Sequence, residues 1–229
     1  MLHVFRLVSA LVLKLTMRSL LFLLLALPIM ACHPIGSSVQ TGNVSPLAVF
    51  SSEWNKPQYL VCNTAANTDY LSENEKTVIY ILNLARMNPP LFAQTVVKAY
   101  PDYSGNARLL QSDYYIGLLA FLKNKIPLPR LYPERSLFES ARCHAETSGK
   151  TGYIGHNRRS KDCKDIETFM GECCQYGYQD PLSIVMDLLI DEGVPSLGHR
   201  IILFKPHTQI GVSIQPHKKY RWNAVLDLG

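Results

Sequence analysis

Apolar side chains fall into two periodicities along this chain, and the change between them divides it. From Ser72 the spacing is helical: Val78, Ile81, Leu82 and Leu84 follow a Ser72-x-x-Glu75 capping signal. Pro89-Pro90 interrupts that pattern, and Leu91 to Tyr100 resumes it over a shorter stretch. Arg108 to Lys125 predicts a further helix, ended by the turn at Pro127 and Pro129. Glu134 to Lys150 predicts another, with Leu137, Ala141, Ala145 and Ser148 near one face. After Gly149 the texture changes to glycine, basic residues and cysteine, which reads as a long ordered loop. Pro181 to Asp191 is helical again, with proline at its start and Ile184, Val185, Leu188 and Leu189 on the buried side. The period then drops to two. Ile210, Val212 and Ile214 alternate through Gln209 to Gln215, and Trp222, Ala224, Leu226 and Leu228 alternate through Arg221 to Leu228. Helices followed by a strand pair predict an α+β or three-layer domain with a small antiparallel sheet.

The N-terminal third reads differently. Leu20 to Met30 is an uninterrupted apolar run after Arg18, short for a membrane span. Residues 1–31 therefore read as a signal peptide, with Met17 a candidate start. The run ends Ile29-Met30-Ala31-Cys32, which resembles a bacterial lipobox whose cysteine is lipidated. Lipidation of Cys32 outweighs the alternative of an ordinary secretory signal; an uncleaved anchor ranks third because Lys14 and Arg18 break the longer apolar stretch. Residues 32–71 read as a tether, with His33 to Ser52 free of Asp, Glu, Lys and Arg and rich in Ser, Gly, Pro and Thr. The expected location is the cell envelope, lipid-anchored to a bacterial membrane or secreted. The Asn43-Val44-Ser45 sequon carries little weight in that setting.

Charge narrows the function classes. The formal net charge is +5, but Arg6, Lys14 and Arg18 of the leader supply three of the 23 basic residues, leaving 20 against 18 acidic ones. No basic stripe interleaved with aromatics exists, so nucleic acid is excluded as a partner. An exported chain meets an oxidising compartment. Beyond Cys32 it keeps an odd set: Cys62, Cys143, Cys163, Cys173 and Cys174. Cys163 paired with Cys173 or Cys174 is the expected bridge, closing a short loop ahead of Glu172. A zinc knuckle lacks any CxxC pair.

The candidate chemistry lies in the last third. Gly155-His156, Gly171-Glu172, Asp191-Glu192 and Gly198-His199 set two imidazoles and two carboxylates beside turn-forming glycines. Such groups hold a divalent metal or move protons. Taken singly, each histidine is better read as a loop or helix cap; the ordered quartet favours one shared cleft. His144-Ala145-Glu146 has the H-x-E form of zinc deaminases without their P-C-x-x-C partner, so His144 and Cys143 read as packed helix residues. The G-x-S-x-G elbow, HExxH and P-loop are all absent. A disulfide role for Cys173 and Cys174 outweighs a nucleophilic one. Arg86 reads as one half of an interior ion pair, and Tyr153, Tyr176 and Tyr178 as packing and not a sugar platform.

Five blocks carry a resemblance: Ile81-Leu82-Asn83-Leu84-Ala85-Arg86, Ala141 to Ala145, Gly155-His156-Asn157, Gly171 to Gly177, and Asp191 to Arg200. In that order, over residues 72–228, the chain resembles the CAP superfamily (the SCP domain of cysteine-rich secretory proteins, antigen 5 and pathogenesis-related proteins). The resemblance implies a domain at residues 72–229, folded as a three-layer α-β-α sandwich with a concave cleft. It implies His156, His199, Glu172 and Asp191 as the cleft quartet, with Glu192 able to replace Asp191. Departures stand at Cys173, where the family commonly has Asn, at Asp191, where Glu is common, and at Leu188, where many members have Trp. The expected function is binding of a divalent metal (zinc foremost) or a small ligand in that cleft. A metal-dependent, peptidase-like hydrolase with catalytic Glu172 or Asp191 as general base is the alternative, and a lipid or sterol carrier the second. The expected partners are the membrane, through the lipid anchor, and a small-molecule, lipid or peptide ligand.

Overall fold

The computed structural model describes residues 44–229. The expected signal peptide 1–31, the lipidation site Cys32 and the first part of the tether lie outside the described residues. Among the described residues no helix is long and apolar enough to cross a membrane.

Folding starts well before Ser72, which corrects the tether reading for residues 44–71. A 3-10 turn at Ser52–Asn55 and α1 at Pro57–Leu60 bury Leu47, Trp54, Tyr59 and Cys62. Trp54 packs edge-on to Tyr59, with ring centroids 4.9 Å apart, and its indole N–H donates to Thr95 Oγ1 at 3.0 Å. A segment with only three charged residues (Glu53, Lys56 and Asp69) and no long apolar run looks like a linker in composition. Yet one tryptophan with a satisfied N–H buries enough area to hold it on the domain.

Helix α2 spans Glu73–Met87, and its capping box is doubly used. Glu75 Oε2 accepts from the Ser72 amide at 2.7 Å while Oε1 accepts from the Ile214 amide at 2.9 Å, so the cap also ties the helix to the sheet. Pro89 to Tyr103 follows as α3 (Pro89–Phe92), a π-helical turn and α4 (Lys98–Tyr103). The predicted helix from Arg108 is a 3-10 turn followed by α5 (Asp113–Lys123). The strand β1 (Tyr132–Pro133) leads into α6 (Arg135–Thr151), α7 (Lys161–Asp165), β2 (Gly171–Tyr176), α8 (Pro181–Ile190), α9 (Gly198–Leu203), β3 (Gln209–His217) and β4 (Arg221–Leu228).

The sheet has four strands in the order β1-β3-β4-β2, so the chain is α+β. It is mixed and not antiparallel throughout, because β1 runs parallel to β3. β2 occupies part of the stretch where the sequence predicts a loop. All but one of its residues are buried, so it shows no polar-apolar alternation to mark it as a strand. It pairs antiparallel with β4, Glu172 opposite Asp227 and Cys174 opposite Val225, and forms one edge of the sheet. Helix α6 packs on the β3–β4 face that carries Gly211 and Val225, while α2 and α8 cover the face that carries Val212 and Leu226. The α6 contact requires glycine. A Cβ on Gly211 would stand 2.1 Å from the backbone of Leu137 and Phe138, and one on Gly149 would stand 2.1 Å from the Pro216 carbonyl.

Two buried arginines fix α9. Arg86 from α2 is fully buried and donates to the carbonyls of Pro129, Leu203, Lys205 and His207, where an ion pair was expected. Burial lowers its pKa only to about 10, so it stays charged, and carbonyl dipoles replace a counter-ion. Arg200 from α9 donates to the Leu189 and Ile190 carbonyls at 2.6 Å, capping the C-terminal end of α8.

Candidate functional site

Alternation along β2 divides the site. Gly171, Cys173 and Gln175 face α8 and α9: a Cβ on Gly171 would touch Ile202, Cys173 Sγ meets the His199 carbonyl, and Gln175 donates to Asp187. Glu172, Cys174 and Tyr176 face the side covered by α6. Because β2 is an edge strand, residues from either face can meet beyond it. His156 approaches from one side and His199 from the other, and their rings lie 6.3 Å apart, tilted by 39°. The structure thus brings together all four residues singled out in the sequence, as two histidine–carboxylate pairs.

The first pair joins His156 Nδ1 to Glu172 Oε1 at 2.8 Å. Its loop is held at Gly155, whose φ of 123° suits glycine, whose amide donates to the Tyr176 hydroxyl and whose carbonyl meets His144 Nε2 at 2.9 Å. The imidazole is 56% exposed and the carboxylate 2%. Glu172 Oε2 accepts from Arg158, a wholly buried guanidinium that also reaches Asp227 Oδ2 at 3.2 Å and stacks over Phe169. Ser140 on α6 donates to the same Asp227 oxygen at 2.6 Å.

One guanidinium therefore serves two buried carboxyls, and burial permits a single negative charge. Burial, then the neighbouring Glu172 charge, pushes the Asp227 carboxyl up to about 8, so it is neutral at pH 7. Burial also works to raise Glu172, but the hydrogen bond from His156 and the Arg158 charge outweigh it and hold that carboxyl below its ordinary range. The hydrogen bond to Glu172 in turn raises His156. His144, buried nearby, is pushed down by burial and stays neutral.

The second pair is built from backbone. Asp191 ends α8 with φ 60°, a left-handed conformation that aspartate tolerates better than most side chains. From there Oδ1 meets His199 Nδ1 at 2.7 Å, while Oδ2 accepts the amides of His199 at 3.0 Å and Arg200 at 3.3 Å. Aspartate is long enough, because the tight turn brings its backbone close to α9. His199 is 20% exposed and Asp191 1%. Glu192 does not take its place; it accepts from Ser112 and lines a cavity of about 660 Å³ that includes Tyr100, Tyr103, Arg108 and Asp187 but neither histidine.

Several expectations change. The bridge joins Cys163 to Cys143, not to Cys173 or Cys174, because Cys143 on α6 faces α7 while the two β2 thiols are turned to opposite sides of the sheet. Neither Glu172 nor Asp191 is placed as a solvent-reaching base: both are buried, and their four oxygens are already bonded. Arg158, Asp227 and Ser140 were missed. Arg158 lies in the stretch after Gly149 that reads as a long loop with basic residues, and Asp227 sits on the polar phase of an alternating strand. That phase is buried because α6 lies over it. His144, read as packing, carries the loop that presents His156.

The chain matches no family model, no curated protein and no solved structure.

Proposed function

We propose that this chain is a CAP-type α-β-α sandwich protein, carried on a lipid anchor at the cell envelope, that binds a divalent metal between His156 and His199 and acts by binding. The observation that supports this reading is the use of the ring nitrogens. Each Nδ1 is held by a buried carboxylate, and among the described residues each Nε2 has no hydrogen-bond partner. Carboxylate–histidine pairs of this kind orient an imidazole and raise its basicity toward a metal. Glu172 and Asp191 then serve as orienting partners, a different role from direct ligation.

The fit is close. Two Nε2 atoms on one tetrahedral zinc place their ring centroids about 5 Å apart. The observed 6.3 Å is about 1 Å wider, and His156, the more exposed ring, has room to swing. Zinc bound there would supply a Lewis acid and an exchangeable position for a small ligand. Hydrolysis draws no support from the two acids, since a general base must reach its water. Their oxygens are taken by His156, Arg158, His199 and backbone amides.

The test is zinc titration of the full chain and of H156A and H199A. A shared site predicts that each substitution removes the same binding event, at least tenfold in affinity. Titration curves for both variants that superimpose on the wild type would overturn the reading.

A further inference from the structure

The sheet face under α6 holds a donor set of which the cleft reading uses only Glu172. His144 on α6, and Glu172 and Cys174 two residues apart on β2, are all buried, and one ligand atom from each lies within 4.8 Å of the others. Cys174 is unbridged because Cys163 is paired with Cys143. His156 Nδ1 stands 3.7 Å from Cys174 Sγ. The His144 ring is itself oriented, with Nε2 on the Gly155 carbonyl at 2.9 Å and Nδ1 toward Ser148 Oγ at 3.4 Å. A nitrogen, a sulfur and an oxygen donor, each buried and converging from two elements, make a set that hydrophobic packing alone does not call for.

We propose that His144, Glu172 and Cys174 form a second, buried site for one borderline-soft divalent cation of the zinc class, adjoining the His156–His199 cleft through the shared Glu172. The donor set selects the cation. A thiolate with an imidazole suits zinc, whereas calcium and magnesium take oxygen ligands. Tetrahedral coordination with metal–ligand bonds of about 2.0–2.3 Å sets donor atoms roughly 3.3–3.8 Å apart. The spread of up to 4.8 Å needs a contraction of about 1 Å, within the reach of side-chain rotation. Forming the metal–sulfur bond displaces the Cys174 thiol proton, so one proton leaves to solvent for each cation bound. The thiolate and the Glu172 carboxylate, the latter still paired with Arg158, then offset two of the three positive charges of the cation and the guanidinium. The site lies against the Gly155 carbonyl, so a cation here would rigidify the turn that presents His156.

Cobalt(II) titration of the full chain, without reductant so that the Cys143–Cys163 bridge stays intact, tests the proposal. The wild type should develop a thiolate-to-cobalt charge-transfer band in the near ultraviolet that saturates at one equivalent, with one proton released per cation. C174S should lose that band, and H199A should keep it. H144Q, the second variant, should weaken the same event at least tenfold while circular dichroism shows the fold retained. A wild type without the band would overturn the proposal. So would a band that persists in C174S, which would then belong to Cys62 or Cys173. Zinc titrations of H156A and H199A that superimpose on the wild type, alongside an intact cobalt–thiolate band, would sink the cleft and leave the buried site standing; loss of zinc binding in both variants with no cobalt–thiolate band in the wild type would do the opposite.

Discussion

The two histidine–carboxylate pairs have the same chemistry and opposite construction. His156–Glu172 rests on other side chains: a buried guanidinium, a neutral second carboxyl and a serine from α6 stand behind it. His199–Asp191 rests on main chain, because the left-handed residue that ends α8 turns its carboxylate onto the first amides of α9. A pair supported by charge depends on protonation and on every member of its network. One supported by backbone depends only on a turn. The first histidine is also the more exposed, on a loop, and the second sits at the start of a helix clamped by Arg86 and Arg200. The difference makes the first pair the adjustable half of the site and the second its fixed reference.

The sharpest way to break the symmetry is Arg158→Met. It leaves Glu172 and Asp227 buried without their guanidinium and should cost about 4 kcal/mol in denaturant unfolding, the range for removing one partner of a buried pair. The His156 NMR titration should shift in this variant; a cost below about 1 kcal/mol would show that Arg158 is not the support. Next comes the disulfide. Cys143 and Cys163 stand 20 positions apart in sequence, with the His156 turn between them and His199 outside. The double substitution C143S/C163S should lose about 3 kcal/mol by the chain-entropy estimate for such a loop. Hydrogen exchange should rise around residues 153–158 and stay unchanged around 197–200. A uniform rise would mean that the bridge serves the whole domain.

The smallest effect is a pH dependence confined to the first pair. Asp227 is raised to about 8 in the folded protein against an ordinary 3.8 when unfolded. Between those values the folded state holds the extra proton, so stability falls as pH rises through that window. Asp227→Asn, which keeps an N–H donor where the neutral acid has O–H, should flatten the fall in stability between pH 5 and pH 8 relative to the wild type. Parallel stability curves for the two proteins would remove Asp227 from the account.

Much of this site was legible before the fold was known, and the reasons are local. Ser72-x-x-Glu75, Pro181 and the alternations through 209–215 and 221–228 are signals that neighbours in sequence write to one another, and the elements appear where those signals stand. Glycine beside the histidines and Glu172 marked turns and close approaches, as at Gly155 and Gly171. What failed was whatever depends on a second layer. Asp227 alternates onto the polar side of β4, and nothing in its own strand tells that α6 covers that side. Residues 44–71 have a linker's composition, yet Trp54 is buried in the core. β2 lost its period because both of its faces are covered.

The sequence alone determined the longer helices, the final strand pair, and the four side chains of the candidate cleft, since those follow from periodicity, caps and residue chemistry along the chain. Only the tertiary structure decided that Glu172 and Asp191 face the histidines' Nδ1 atoms, that Cys143 and not a β2 thiol takes Cys163, and that Arg158 carries one charge between two carboxyls. Those outcomes rest on distances across elements far apart in sequence and on burial. Burial fixes how many charges a site can hold, and no stretch of residues encodes it by itself.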